Sequence, residues 1–259
     1  MATAIDDIRF APAPPEDGPI PTGRDWRTAW AALKKLLANG DDTVQVFRIM
    51  RALNGDTSQK NYRKLLDQPG GGRLAYRRLE LSRKFADRAW LESLPDGSVG
   101  AHYRAFLDRT GFSAQGLADI SYADSDGWRD MEHPYAWFGR RERDIHDIWH
   151  VLTGYTAEEH LGEACLVAFS YAQTGGLGWA FIAGGAALKS LRVTGERNFA
   201  AAVLEGYRHG KRAKWLSGED YEQVMAEPLD AARRRLDIAT PVKYFEARKR
   251  LAEQGLQGI

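Results

Sequence analysis

In the run Arg143-Asp144-Ile145-His146-Asp147-Ile148-Trp149-His150, two histidines stand four residues apart with an aspartate directly after the first. A four-residue step on an α-helix returns to the same face. His146 and His150 can therefore aim imidazole nitrogens at one point, as the paired histidines of zinc helices do. Asp147 is placed either to ligate the same ion or to orient a ligand. At ~100° per residue, Ile145, Ile148, Trp149 and Leu152 form an apolar stripe nearly opposite the His/Asp/His face. The bland alternative is that this polar face is merely solvated, because a short HxxxH pattern also arises by chance.

A further ligand has to come from elsewhere, and Glu163 is the best placed. It opens a helix and is followed by Ala164, Leu166, Val167, Ala168 and Phe169, surroundings in which a carboxylate wants a cation. Glu159 and His160 are the substitutes for that role; Glu158, Glu159 and His160 also read as surface or capping residues. Two histidines with two carboxylates neutralise a divalent ion and suit zinc, iron, cobalt or manganese alike. Arg143, three residues before His146, is placed either to meet a substrate carboxylate or to lie at the surface. A phosphohydrolase of the HD type would rest on the His146-Asp147 pair alone, since its companion upstream His and downstream Asp are not found.

The elements that must position these groups read as helices. Trp26, Trp30, Leu33 and Leu37 repeat at four, three and four, which predicts one buried helix face ending at Asn39-Gly40. A second helix is expected over 43–53, a third over 74–90 with Leu74, Leu81, Phe85 and Trp90 inward, and a fourth capped by Ser98 with Tyr103, Phe106 and Leu107 inward. A short helix over 112–122 and a polar connector over 123–134 with Trp128 and Met131 follow. Helices are then expected over about 141–154, 157–173, 178–193, 196–216, 219–236 and 242–254. Alternating strand patterns are missing, so the fold class is all-α, a single-domain multi-helix fold over 25–259 behind a flexible Pro-rich leader over 1–24.

Ala164 to Leu188 carries no charged residue and is long enough to span a bilayer. Gln173, Thr174, Gly175, Gly176 and Gly178 break its middle, which predicts a buried helical hairpin instead, able to line an apolar groove. Tyr207, Arg208, His209, Lys211, Arg212, Lys214 and Trp215 interleave aromatics with cations, a composition suited to an anionic headgroup surface or to an ordinary solvated helix face. Thirty-six Lys and Arg against 35 Asp and Glu leave a net charge of +1, so no global field steers the chain to nucleic acid. Cys165 is the only cysteine, which excludes intrachain disulfides and thiolate clusters and fits a reducing compartment. Without a secretory pattern, the expected location is the cytoplasm of a bacterial-type cell, with peripheral contact at the inner face of the membrane.

The block His146-Asp147-Ile148-Trp149-His150, followed by Gly154 and Leu161-Gly162-Glu163, resembles the HDxxH…E metal motif of the Coq-four family of coenzyme Q (ubiquinone) biosynthesis. Leu94-Pro95-Asp96-Gly97-Ser98-Val99-Gly100 with Tyr103, Phe106 and Leu107 is similar to that family's LPxGSxGxxYxxFL segment. Glu227-Pro228-Leu229 through Arg234 and Leu236 is similar to its C-terminal region. The resemblance runs from about residue 45 to 240 with the three segments in order. Twelve residues separate His150 from Glu163, one more than is common in the family.

The resemblance implies an α-helical homodimer that holds a divalent metal, usually zinc, at His146, Asp147, His150 and Glu163, and that meets the membrane and other ubiquinone-biosynthesis proteins peripherally. It also implies a metal-dependent decarboxylase or lyase activity: loss of the ring carboxylate of a polyprenylated 4-hydroxybenzoate-type intermediate, with hydroxylation of the same ring carbon. The same metal residues would then be catalytic. The rival expectation is a non-catalytic lipid-binding scaffold that presents such intermediates to partner enzymes.

Overall fold

A computed structural model describes residues 22–123, 132–193 and 197–255, and among these it contains helices and no strand. The leader up to residue 21 and the connector residues Trp128 and Met131 lie outside the described residues. Helices α1 (Trp26–Ala38) and α2 (Thr43–Leu53) pack side by side and are followed by four short helices, α3 (Thr57–Leu66), α4 (Gly71–Arg77), α5 (Leu81–Ala86) and α6 (Arg88–Ser93). Then come α7 (Val99–Thr110), α8 (Ala114–Ala123), α9 (Pro134–Asp144) and α10 (His146–Thr153). The hairpin α11 (His160–Thr174) and α12 (Leu177–Val193) precedes α13 (Arg197–Arg212), a 3-10 turn at Leu216–Gly218, α14 (Tyr221–Ala226), α15 (Leu229–Arg235) and α16 (Val242–Glu253).

The centre of the fold is α11, whose residues from Leu161 to Phe169 are buried apart from Glu163. It runs closely against α13 because Gly206 and Gly210 present no side chain. A Cβ at either position would collide with the backbone carbonyl of Cys165 or Phe169. The polar residues of the hairpin turn are internal wiring. Gln173 donates to the Gly210 carbonyl at 2.7 Å and accepts from the Leu216 amide at 2.8 Å, while Thr174 donates to the Ser170 carbonyl at 2.8 Å. No described helix is long and apolar enough to cross a membrane.

Several expected elements need correction. Helix α1 turns Ala29, Ala32, Leu33 and Leu36 inward, so Trp26 and Trp30 lie about half exposed, at 54% and 55%, and flank Phe181 of α12 instead. The helix expected over 74–90 is three pieces, broken where Arg78 adopts a positive φ of 42° and again at Asp87. The helix α3 carries a weak apolar pattern, with only Thr57, Asn61 and Leu65 buried. The helix expected over 141–154 is divided at Ile145 into α9 and α10.

Candidate metal centre

The division at Ile145 makes His146 the first residue of α10. Its middle is anchored where the Trp149 indole N–H donates to the Tyr221 hydroxyl at 2.6 Å, with both residues buried. Its C-terminal carbonyls are capped by Arg233 of α15, which donates to Leu152 O at 2.9 Å and Val151 O at 3.1 Å. After Gly154 the chain returns through a loop tied to α16, where the Thr156 amide donates to the Tyr244 hydroxyl at 3.2 Å and the Thr156 hydroxyl shares a 2.7 Å bond with it. That loop delivers Glu163 in the first turn of α11.

His146, His150 and Glu163 each offer one ligand atom, and these atoms lie within 4.8 Å of one another. The His150 Nδ1 is 2.8 Å from the Tyr155 carbonyl, which can only accept, so Nδ1 carries a proton, and in the neutral ring it is Nε2 that presents the lone pair. This Nε2 is buried, makes no hydrogen bond, and stands 3.2 Å from a Glu163 carboxylate oxygen. A lone pair facing a carboxylate without hydrogen-bond alignment is what a cation site requires, and the donor set fits a divalent metal. Burial opposes a charged His150, but the combined pull of Glu163, Asp147 and the Tyr155 carbonyl outweighs it and raises its pKa. For Glu163 burial pushes upward, and the fields of His150, His146 and His160 more than cancel it, leaving the carboxyl below its usual range.

Asp147 stands outside this cluster. Its Oδ1 lies 3.4 Å from His146 Nδ1, on the flank of the ring that an orienting carboxylate occupies. The two alternative ligands also stand elsewhere: Glu159 pairs with Arg248 at 2.7 Å, and the His160 ring lies against Gly40. The polar face of α10 is not solvated, because Asp147 and His150 are buried along with the apolar stripe. Arg143 is neither at the surface nor free for substrate. It is buried, donates to Asp144 at 2.8 Å and lies over the Tyr122 ring, while Asp144 accepts from the Ser82 amide at 3.0 Å.

Two aromatic walls complete the site. The His146 ring stacks on Trp179 of α12 at 5.8 Å and 10°, and His150 stacks on Phe106 of α7 at 6.0 Å and 17°. Trp179 was not expected as a site residue. Its one sequence signal is that it is the sole tryptophan of the uncharged stretch from Ala164 to Leu188. The other two motif segments support the same helix. Val99 N donates to Glu227 O at 2.9 Å and Leu229 N to Gly97 O at 3.0 Å, around an isolated bridge between Ser98 and Pro228. This clasp fixes the start of α7, which carries Phe106, and the start of α15, which carries Arg233. In the basic run from the end of α13 into the 3-10 turn the aromatics turn inward: Tyr207 stacks on Tyr171 and Trp215 on Phe138, leaving Arg208, Lys211, Arg212 and Lys214 exposed.

Fold and site together define an all-α protein in which an imidazole pair, one ring buried and the other partly exposed, converges with a carboxylate from the following helix. Residues 32–242 match the family described as coenzyme Q (ubiquinone) biosynthesis protein Coq4, and the chain belongs to that family. It is 33% identical over 200 residues to the ubiquinone biosynthesis protein COQ4, mitochondrial, of Pyricularia oryzae, covering 72% of this chain and 59% of that protein. To the mouse (Mus musculus) COQ4 homolog, also named mitochondrial, it is 30% identical over 226 residues, covering 82% and 80%. The chain thus spans under two thirds of the length of the Pyricularia relative. A crystal structure from Nostoc punctiforme, provisionally assigned to ubiquinone biosynthesis, shares the fold with a TM-score of 0.60 at 20% identity, over 84% of this chain and 100% of that one.

These relatives correct one expectation. They are named as mitochondrial, which overturns the reading of a cytoplasmic, bacterial-type protein. The missing secretory pattern bears on secretion alone and carries no information about an organelle address.

Proposed function

We propose that the chain is a metal-dependent enzyme of ubiquinone biosynthesis that removes the ring carboxylate of a polyprenylated 4-hydroxybenzoate-type intermediate, with hydroxylation at the same ring carbon. His146, His150 and Glu163 hold a divalent ion, zinc by family resemblance, with iron, cobalt and manganese suiting the same donors. Asp147 takes part by holding the His146 ring. The observation that carries this reading is the buried His150 Nε2, whose other ring nitrogen is committed to Tyr155 and whose lone pair faces Glu163.

When bound, such an ion supplies a Lewis acid for phenolate and carboxylate oxygens. The chain's own contribution is positional. Phe106 and Trp179 cover the two imidazole faces and keep water from them, while the Glu163 side chain, 38% exposed, marks the side from which a substrate arrives. The face presented to the membrane in this reading is that of α1 and α12, where exposed Trp26 and Trp30 flank Phe181, with Leu188 and Leu191 on the same helix.

The test is to quantify metal in purified protein and in H150A, then follow carbon dioxide and ring products from a short-tailed 4-hydroxybenzoate analogue, in air and without oxygen. Metal-dependent release that H150A abolishes is the expected result, with oxygen dependence separating oxidative from simple decarboxylation. Full metal content and turnover in H150A would overturn the site. Bound analogue without turnover would assign the lipid-presenting scaffold instead.

A further inference from the structure

We propose that Asn54, at the end of α2, is a positioning residue for the metal centre: its side chain caps the start of α12 and so holds Trp179 flat against His146. This role rests on the metal reading above and falls to a residue far from the histidines in sequence.

Helix α12 begins at Leu177, directly after Gly175 and Gly176, so its own N-cap position has no side chain to accept from the first amides. The acceptor comes from α2 instead. The Gly178 amide donates to Asn54 Oδ1 at 3.1 Å, the bond that an N-cap side chain makes with the second residue of a helix. Two glycines permit so close an approach. A Cβ on Gly176 would stand 2.9 Å from Asn54 Oδ1, and one on Gly178 would stand 2.6 Å from Met50 Sδ and 3.0 Å from Met50 Cα. The end of α2 therefore grips the first turn of α12 through both a hydrogen bond and direct packing.

Trp179 is the next residue in that turn, and its amide donates to Gly176 O at 3.1 Å. Its ring lies nearly parallel to the His146 ring, at 5.8 Å and 10°. His146 needs such a restraint. It opens α10, and its Nδ1 stands 3.4 Å from Asp147, long for a hydrogen bond. The second torsion of a histidine side chain is soft, so that contact alone leaves the ring free to swing. Asp147 lies at the edge of the ring and selects which nitrogen faces away from the ion, whereas the indole lies along its face and fixes its plane. A shift of the first turn of α12 would tilt the indole and, with it, the direction of His146 Nε2.

The experiment uses the full chain as wild type, N54A, N54D, W179L, the double variant N54A/W179L, and H150A. Zinc(II) affinity is measured by competition with a chelating dye, the visible bands of cobalt(II)-loaded protein report ligand geometry, and thermal unfolding is followed on metal-free protein. W179L keeps bulk beside His146 without a flat face and should weaken zinc binding about 10- to 100-fold, the range typical of groups that orient a ligating imidazole. N54A, acting one step further out, should weaken it about 3- to 10-fold and shift the cobalt bands. N54D retains an acceptor for the Gly178 amide and should return zinc affinity to within about twofold of wild type. The double variant should bind zinc no more weakly than W179L alone, as expected for groups acting in series. A lowered metal-free midpoint in N54A with unchanged zinc affinity and cobalt bands would make Asn54 a structural cap only and overturn the inference, leaving the metal site in place. So would a loss of affinity that N54D fails to restore. Wild-type protein that binds no more zinc than H150A would overturn the site reading itself, and this inference with it.

Discussion

Replacing Gly162 with alanine tests how Glu163 is brought to the histidines. Alanine in a helix gains about 1 kcal/mol over glycine. At Gly162, however, the added Cβ falls well inside contact distance of the Thr156 carbonyl, a backbone group with no rotamer to change. Overpacking of this kind costs about 1–3 kcal/mol. The loop cannot retreat without loss, because Thr156 is bonded to the Tyr244 hydroxyl at 3.2 and 2.7 Å. A carbonyl that cannot rotate puts the cost in the upper part of that range, so the clash should win by about 1–2 kcal/mol. Either those bonds break or the first turn of α11 moves and carries Glu163 away from His150. Gly184 is the control: it is exposed within α12 with nothing within 4 Å of its Cβ position, so G184A should stabilise by about 0.5–1 kcal/mol. Urea unfolding of metal-free protein should separate the two variants by roughly 1.5–3 kcal/mol in opposite directions from wild type. G162A should also bind zinc more weakly, and G184A should not. If G162A is as stable as wild type and binds zinc equally well, the loop contact does not position Glu163.

Three further outcomes follow from the supports of α10. Y221F leaves the buried Trp149 N–H without its 2.6 Å acceptor and should cost about 1–3 kcal/mol, with Tm falling by about 2–4 °C for each of them; a change below about 0.5 kcal/mol would remove Tyr221 as an anchor. S98A deletes the side chain that accepts the Ala101 amide at 3.1 Å and caps α7, and should lower stability by about 1 kcal/mol in urea unfolding, with S98T recovering most of it. Zinc affinity should fall with acid from a pH above the ordinary histidine value of about 6.5, because the raised pKa of His150 means Nε2 must release a proton to ligate, while Glu163 is already ionised. Affinity measured from about pH 5.5 to 8 that stays flat, or that drops only well below about 6.5, would contradict that order of titration.

The readability of this chain follows the range over which each signal acts. The α2 boundaries, the Ser98 cap, the hairpin turn and the convergence of His146 with His150 depend on residues within a few positions of one another, and each is present in the structure. Glu163 needed one further step, across a loop, and its uncharged sequel supplied the clue. The broken helix over 74–90 lacked a comparable mark, because the break falls on Arg78, which closes α4 in a left-handed conformation that a non-glycine residue rarely takes. The inward face of α1 was misplaced for a different reason. The two tryptophans share a helical period with the leucines, and only the neighbouring α12, with Phe181 between them, determines that the alanines face the core. Trp179 comes from a helix distant in sequence from His146, beyond the reach of spacing.

The position of Asp147 bears on whether a metal here would be structural or reactive. An imidazole that ligates through Nε2 directs Nδ1 away from the ion, and Asp147 lies on the Nδ1 side of His146. In the proposed site, with His146 ligating through Nε2, Asp147 would stand on the far side of that ring and the ligands would be His146, His150 and Glu163. Structural zinc sites are closed by four protein ligands, whereas three ligands leave a position for water or substrate oxygen. In the proposed site the partly exposed Glu163 would lie on the solvent side, while Phe106 covers the His150 ring. In the proposed site an aspartate that orients rather than ligates would thus leave the fourth position open to exchange.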